Sequence, residues 1–150
     1  MNISLLLQMA ADACPHRVAL SHAGNDYSYS QLLDAARHAA QTFETSGCNY
    51  VSLLDVSNPS VPIALMGAAM AGIPYVPLNY RLSEEQILPL FDRISPAYLI
   101  SGERKDNYDF DGWVVQDSSD FLVETFGSES GEYFKDVDPS EVAVQLFTSG

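Results

Sequence analysis

From Val51 to Ile100 the sequence alternates two patterns, and this alternation constrains the fold more than any other feature. Short apolar runs, Val51 to Val56, Tyr75 to Leu78 and Ala97 to Ile100, have the length and composition of strands buried on both faces. Between them lie segments with helical spacing. Strands separated by helices lie side by side through right-handed crossovers, which gives a mainly parallel sheet flanked by helices. The fold class read from the sequence is α/β.

Local signals place the other elements. Asn2 or Ser4 is predicted to cap a first helix that Pro15 stops. Val18 to Ser21 and Tyr27 to Tyr29 read as a hairpin with its turn at Gly24, Asn25 and Asp26, and Ser30 as the next helix cap. Leu32, Leu33, Ala36, Ala39, Ala40 and Phe43 then recur on one helical face until Ser46 and Gly47. A further helix enters through Ser57, Asn58 and Pro59, with Asn58 as cap, and ends near Gly72. Ser83 and Gln86 have capping-box spacing, and Leu82 and Ile87 the spacing of a hydrophobic staple. Pro89 is predicted to kink or shorten that helix. In the stretch from 102 to 141, only Trp113 to Val115 reads as a strand and Ser119 to Phe126 as a helix, with Ser128 to Glu132 an exposed loop. Val142 to Phe147 is predicted to be a last strand, running into Thr148-Ser149-Gly150.

The chain has 150 residues and a formal net charge of −13. Such acidity argues against a nucleic-acid or anionic membrane partner, because phosphates are met by clustered Lys and Arg. A small anion held by backbone N–H groups is still compatible with it. Residues 101 to 150 hold 12 acidic and 3 basic side chains, against 8 and 4 in the first hundred, and this excess is read as a solvated face. Cys14 and Cys48 are too few for a disulfide framework and belong to no metal-ligand pattern, which suits reduced thiols in a cytoplasmic protein. No Lys or Arg precedes Arg17, so a secretory signal is not expected. The 18 uncharged residues from Val61 to Leu78 contain Pro62, Pro74 and Pro77, which argue for a buried helix and a strand in place of a membrane span.

Little chemistry is legible from spacing alone. His16, His22 and His38 lie in the first quarter without a nucleophile signature, and His38 reads as a helix-surface residue. Asp55 stands near the end of a predicted parallel strand, the edge where open α/β sheets bind ligands, but hydrogen bonding to the following turn accounts for it. Glu84 and Glu85 suit the start of a helix. A buried strand running into Thr148-Ser149-Gly150 has the ingredients of a phosphate-cradling loop.

Two longer motifs give these residues a context. Ala71-Gly72-Ile73-Pro74-Tyr75-Val76-Pro77-Leu78-Asn79-Tyr80-Arg81-Leu82 resembles the AG-x-x-YVPLN-x-RL segment of the adenylate-forming ligase superfamily, which contains acyl-CoA synthetases, aryl-CoA ligases, luciferases and peptide-synthetase adenylation domains. Leu146-Phe147-Thr148-Ser149-Gly150 is similar to the start of that family's ATP phosphate loop, TSGTTG-x-P-K-G. Pro15-His16-Arg17-Val18-Ala19-Leu20 and Asp138-Pro139 extend the likeness over nearly the whole chain. Asn79, where amino-acid adenylation domains usually carry Asp, is more similar to acyl- or aryl-CoA ligases. Asn49-Tyr50 and Ser57-Asn58-Pro59-Ser60 depart from the family's usual loops.

The resemblance implies the first part of the superfamily's large N-terminal domain. It implies ATP-dependent joining of a small carboxylic acid to AMP, then transfer to the thiol of CoA or, as an alternative, of a carrier protein. It implies ATP, Mg2+ and CoA as cofactors of the complete enzyme. Thr148, Ser149 and Gly150 would hold the β and γ phosphates, and Arg81 either reaches the CoA nucleotide or is a surface arginine. The loop's lysine, the acyl pocket, the magnesium-binding glutamate and the C-terminal subdomain with its catalytic lysine have no counterpart in these residues. Residues 1 to 150 are thus expected to be an incomplete AMP-binding domain, inactive alone, with apolar sheet surface that favours self-association. A non-enzymatic α/β module, or a relic of such a ligase, is the competing expectation.

Overall fold

The computed structural model describes residues 2–103, 108–128 and 131–148. Helix α1 (Ser4–Ala13) begins where Asn2, not Ser4, supplies the capping oxygen: its Oδ1 accepts from the Ser4 amide at 3.0 Å. Strands β1 (Val18–His22) and β2 (Asn25–Ser28) form the expected antiparallel hairpin, but the turn lies earlier than predicted. Ala23 (φ 50°) and Gly24 (φ 79°) make a two-residue turn with positive φ at both positions, which matches strand twist and leaves Asn25 and Asp26 to the strand.

The cap of α2 (Tyr29–Ser46) is likewise Ser28 and not Ser30. Ser28 and Gln31 form a reciprocal capping box, so three-residue spacing to a glutamine decides between the two serines. Gly47, with φ 71°, ends α2 in the left-handed conformation. Strand β3 (Tyr50–Leu54) follows, then α3 (Ser60–Ala71), whose Ser60 amide donates to Asn58 Oδ1 at 2.8 Å as the cap reading requires. Next come β4 (Tyr75–Pro77) and α4 (Glu84–Arg93), which has the predicted Ser83–Gln86 capping box. Pro89 lies inside α4, which continues past it to Arg93 and so is not cut short there. Pro89 and Glu85, whose carbonyl loses its donor, are both on exposed positions where water can replace the missing bond. The chain continues through β5 (Ala97–Ser101), β6 (Val114–Asp117) and α5 (Ser118–Gly127).

The four strands β4-β3-β5-β6 form one parallel sheet in that order. Side chains alternate across it, as the two-residue period of a strand demands. Val51, Leu53, Tyr75, Tyr98 and Ile100 join one core with α1, α2, α3 and α5, while Leu54, Val76 and Leu99 join a second core with Ile87, Phe91 and Ile94. Phe43 centres the first, packed on Tyr98 and Phe121. Phe91 centres the second, edge-on to Tyr108, Phe110 and Trp113. Among the described residues, no helix is long and apolar enough to cross a membrane.

Residues 142–147 are not a regular strand. A single parallel bridge joins Val144 to Tyr75, outside β4. The apolar pattern read from the sequence is real, but among the described residues the segment's backbone pairs with Tyr75 alone, which is too little for a regular strand. Of the described acidic residues after Ser101, all but Asp117 are exposed, as a solvated face requires.

Residues 133–137 cross from α2 to the end of α3. Tyr133 Oη donates to Glu44 Oε2 at 2.9 Å, Lys135 Nζ lies 2.9 Å from Glu44 Oε1, and Val137 packs beside Gly72. The Lys135 and Tyr133 donors hold the Glu44 carboxyl below its ordinary value of 4.5. A depressed carboxyl contributes above the ordinary value and loses its contribution as pH falls through the lower folded one. Acidification below 4.5 is therefore expected to loosen this segment, seen as greater mobility of the Tyr133 ring by NMR, and Glu44→Gln should loosen it already at neutral pH.

Candidate functional site

The site lies where the parallel strands end. After β4 the chain turns at Asn79, whose Oδ1 accepts from the Arg81 amide at 2.9 Å and whose carbonyl accepts from Leu82 at 3.1 Å. This turn delivers Ser83 to the start of α4. On the other side, the Tyr75 amide donates to Ala143 O and the Gln145 amide to Tyr75 O, both at 2.9 Å. From that bridge the chain runs beside β4 towards the same end. Leu78, Asn79, Leu82 and Gln86 thereby share one cavity of about 370 Å³ with Leu146, Phe147 and Thr148.

Thr148 lies exposed in the wall of this cavity. Ser149 and Gly150, the other proposed phosphate-loop residues, lie outside the described residues. Arg81 does not line it. Its Nε donates to Tyr80 Oη at 3.2 Å, and its guanidinium lies 5.4 Å from the Tyr80 ring centre, a cation–π distance.

Tyr80 instead borders a second cavity of about 370 Å³, with Leu54, Asp55, Val56, Gly102 and Glu103. Spacing alone did not reveal this one. The chain leaves β3 for β4 on one side and returns to place β5 on the other, so the crevice stands at the sheet's topological switch point. Strand order locates it, and the nearest sequence signal is Gly102 directly after a buried strand. A Cβ at Gly102 would stand 2.9 Å from Asp55 Oδ1, so only glycine fits there without displacing the carboxylate. Asp55 plays the local part expected of it: Oδ1 accepts from the Val56 amide at 2.7 Å and Oδ2 from Asn58 Nδ2 at 3.1 Å.

His38, half-buried on α2, has Nε2 3.3 Å from Glu124 Oε1 and faces neither cavity. Cys14 and Cys48 are free thiols. Among the described residues no group of three or more His, Cys, Asp or Glu side chains could hold a metal ion. The described residues therefore do not by themselves make a Mg2+ site.

Thr148 thus follows a segment bridged to the outside of β4 at the C-terminal end of a parallel sheet, and the chain belongs to the AMP-binding enzyme family, whose model matches residues 7–150. It is 24% identical over 146 residues to the D-alanine--D-alanyl carrier protein ligase of Staphylococcus aureus (strain JH9), covering 96% of this chain and 29% of that protein. The chain thus spans less than a third of this curated relative. A Mycobacterium tuberculosis fatty acyl CoA synthetase shares the fold with a TM-score of 0.82 at 21% identity, over 99% of this chain and 32% of the other. The N-terminal subdomain of Klebsiella oxytoca NpsA, in complex with 3-hydroxybenzoyl-AMSN, gives 0.80 at 20% identity over 99% and 38%. The α/β architecture is that of the N-terminal domains of adenylate-forming enzymes.

Proposed function

We propose that residues 1 to 150 supply one wall of the ATP site of a carboxylate–CoA ligase, completed by polypeptide beyond Gly150. The observation that carries this reading is the shared cavity, in which segments far apart in sequence, Leu78 to Leu82 and Leu146 to Thr148, meet at the C-terminal edge of the parallel sheet.

In the proposed reaction a carboxylate oxygen attacks the α-phosphorus of ATP and pyrophosphate leaves. The acceptor sulfur then attacks the acyl carbon, AMP leaves, and the thiol proton passes to solvent. The task of this chain is to hold the departing phosphates. Thr148 offers a hydroxyl and an amide as donors, and Ser149 and Gly150 extend that set. Donors aimed at charge that develops on the leaving group lower the barrier without reorganisation. Mg2+ would come with the nucleotide, since the described residues form no cluster for it.

Arg81 is proposed to reach a phosphate of the CoA nucleotide by swinging from Tyr80. The contact it leaves is an exposed one, worth about 0.5–1 kcal/mol, whereas a charge-assisted bond to phosphate is worth about 1.5–3 kcal/mol. Transfer to a carrier protein is the second reading, favoured by the named activity of the Staphylococcus aureus relative.

Carboxylate-dependent pyrophosphate exchange by the full-length gene product tests the adenylation step. Thr148→Val, which keeps shape and removes the hydroxyl, is expected to lower exchange about 10- to 100-fold, the loss expected for one hydrogen bond to a charged group. Absence of exchange across aliphatic, aromatic and amino acids would refute the reading. Arg81→Ala should raise KM for CoA and leave exchange unchanged, while loading of a carrier protein with no response to CoA would favour the second reading.

A further inference from the structure

We propose that Arg93 is a positioning residue for the phosphate loop, acting through the ring of Phe147; this inference rests on the reading of Thr148 given above. Among the described residues, the last backbone hydrogen bond on this segment is from Gln145 to Tyr75. Beyond it, Leu146 is 67% exposed and contributes little anchorage. The direction in which the chain leaves the sheet is therefore set by Phe147.

Phe147 packs against the second core, to which Ile87, Phe91 and Ile94 belong. The guanidinium of Arg93 lies 4.8 Å from its ring centre. That distance is within cation–π range, and Arg93 closes the last turn of α4, where the helix dipole also favours a cation. Helix α4 contributes Gln86 and Leu90 to the cavity wall that faces Thr148. A clamp between the end of this helix and the residue before Thr148 ties the loop to the wall it must face.

In the full-length protein, Arg93→Ala is expected to raise KM for ATP about two- to fivefold, the size of an exposed cation–π contact, with KM for the carboxylate unchanged. Arg93→Lys should recover most of the loss, since an ammonium can occupy the same face. Phe147→Leu should match Arg93→Ala, and the double variant should add nothing further. An unchanged KM for ATP in an active protein, or additive losses in the double variant, would overturn the clamp. If the unsubstituted full-length protein shows no exchange, the functional reading falls and the clamp is judged in that protein by the NMR shifts of the Phe147 ring protons, which a guanidinium 4.8 Å from the ring centre displaces. Shifts moved toward those of a free phenylalanine in Arg93→Ala, and largely kept in Arg93→Lys, support it, and identical shifts in Arg93→Ala overturn it.

Discussion

Gly67→Val is expected to abolish stable folding, or to lower stability by about 3 kcal/mol or more, although the substitution removes a glycine from the middle of a helix. Gly67 lies in α3 where it crosses α2. A Cβ there would stand 2.8 Å from Ala39 Cβ, 3.0 Å from Ala36 O and 3.2 Å from Ala40 N. Ala36, Ala39 and Ala40 are fully buried, so α2 has no free space into which to retreat. Propensity pulls the other way, since replacing a helical glycine by alanine gains about 1 kcal/mol. Overpacking at a rigid crossing costs about 1–3 kcal/mol, so sterics decide the sign even for Gly67→Ala. Valine adds two methyl groups to that clash. Urea unfolding measures the difference, with Gly67→Ala expected to be milder than Gly67→Val. Ala39→Gly in the Gly67→Ala background should restore part of the loss, because it removes the nearest contact but not the two to backbone atoms. A Gly67→Val protein as stable as the parent would disprove the close crossing.

The same crossing illustrates what the sequence makes legible. Leu32, Leu33, Ala36, Ala39, Ala40 and Phe43 mark the buried face of α2, and all six are buried. The strands β3 and β5 are recognisable because burial on both faces forces an apolar residue at nearly every position. Capping chemistry is local and is read well where one candidate exists, as at Ser83 and Gly72. It is misread where two serines compete, because Ser28 and Ser30 differ only in what stands three residues later. The turn at Ala23 and Gly24 was displaced because Asn25 and Asp26 carry stronger turn signals than alanine, yet the hairpin register demands them in the strand. Pairing is the least legible level. Nothing in the spacing of Asn79 and Thr148 says that they share a cavity, since that follows from residues 143–145 lying outside β4. The crevice beside Asp55 depends in the same way on strand order. Motif resemblance drew Thr148 into the site without that knowledge, and for Arg81 it offered either a CoA contact or a surface position; in the structure Arg81 is exposed and stacked on Tyr80, which borders the second cavity.

The 150-residue chain is expected to self-associate through the outer edge of residues 142–146. Ala143 O and Gln145 N are taken by Tyr75, so in a parallel ladder the amide and carbonyl of Val144 point away from β4. Val142, Val144 and Leu146 are 53%, 39% and 67% exposed and, being two residues apart, project on one face. An unpaired edge beside an apolar row is a template for another strand. Lysine at Val144 and Leu146 should prevent the association, because pairing would then bring like charges together and bury their stems against water-seeking heads. Light scattering at rising concentration separates the outcomes: growth in mass for the parent chain and constant mass for the double lysine variant are expected. A parent chain that stays monomeric would show that this edge is not available. Under the proposed function the edge has a second meaning, since polypeptide added after Gly150 must continue from the same segment and can cover it. A full-length protein that associates as readily as the 150-residue chain would count against that arrangement, whereas a monomeric one would link the covering of this edge to completion of the ATP site.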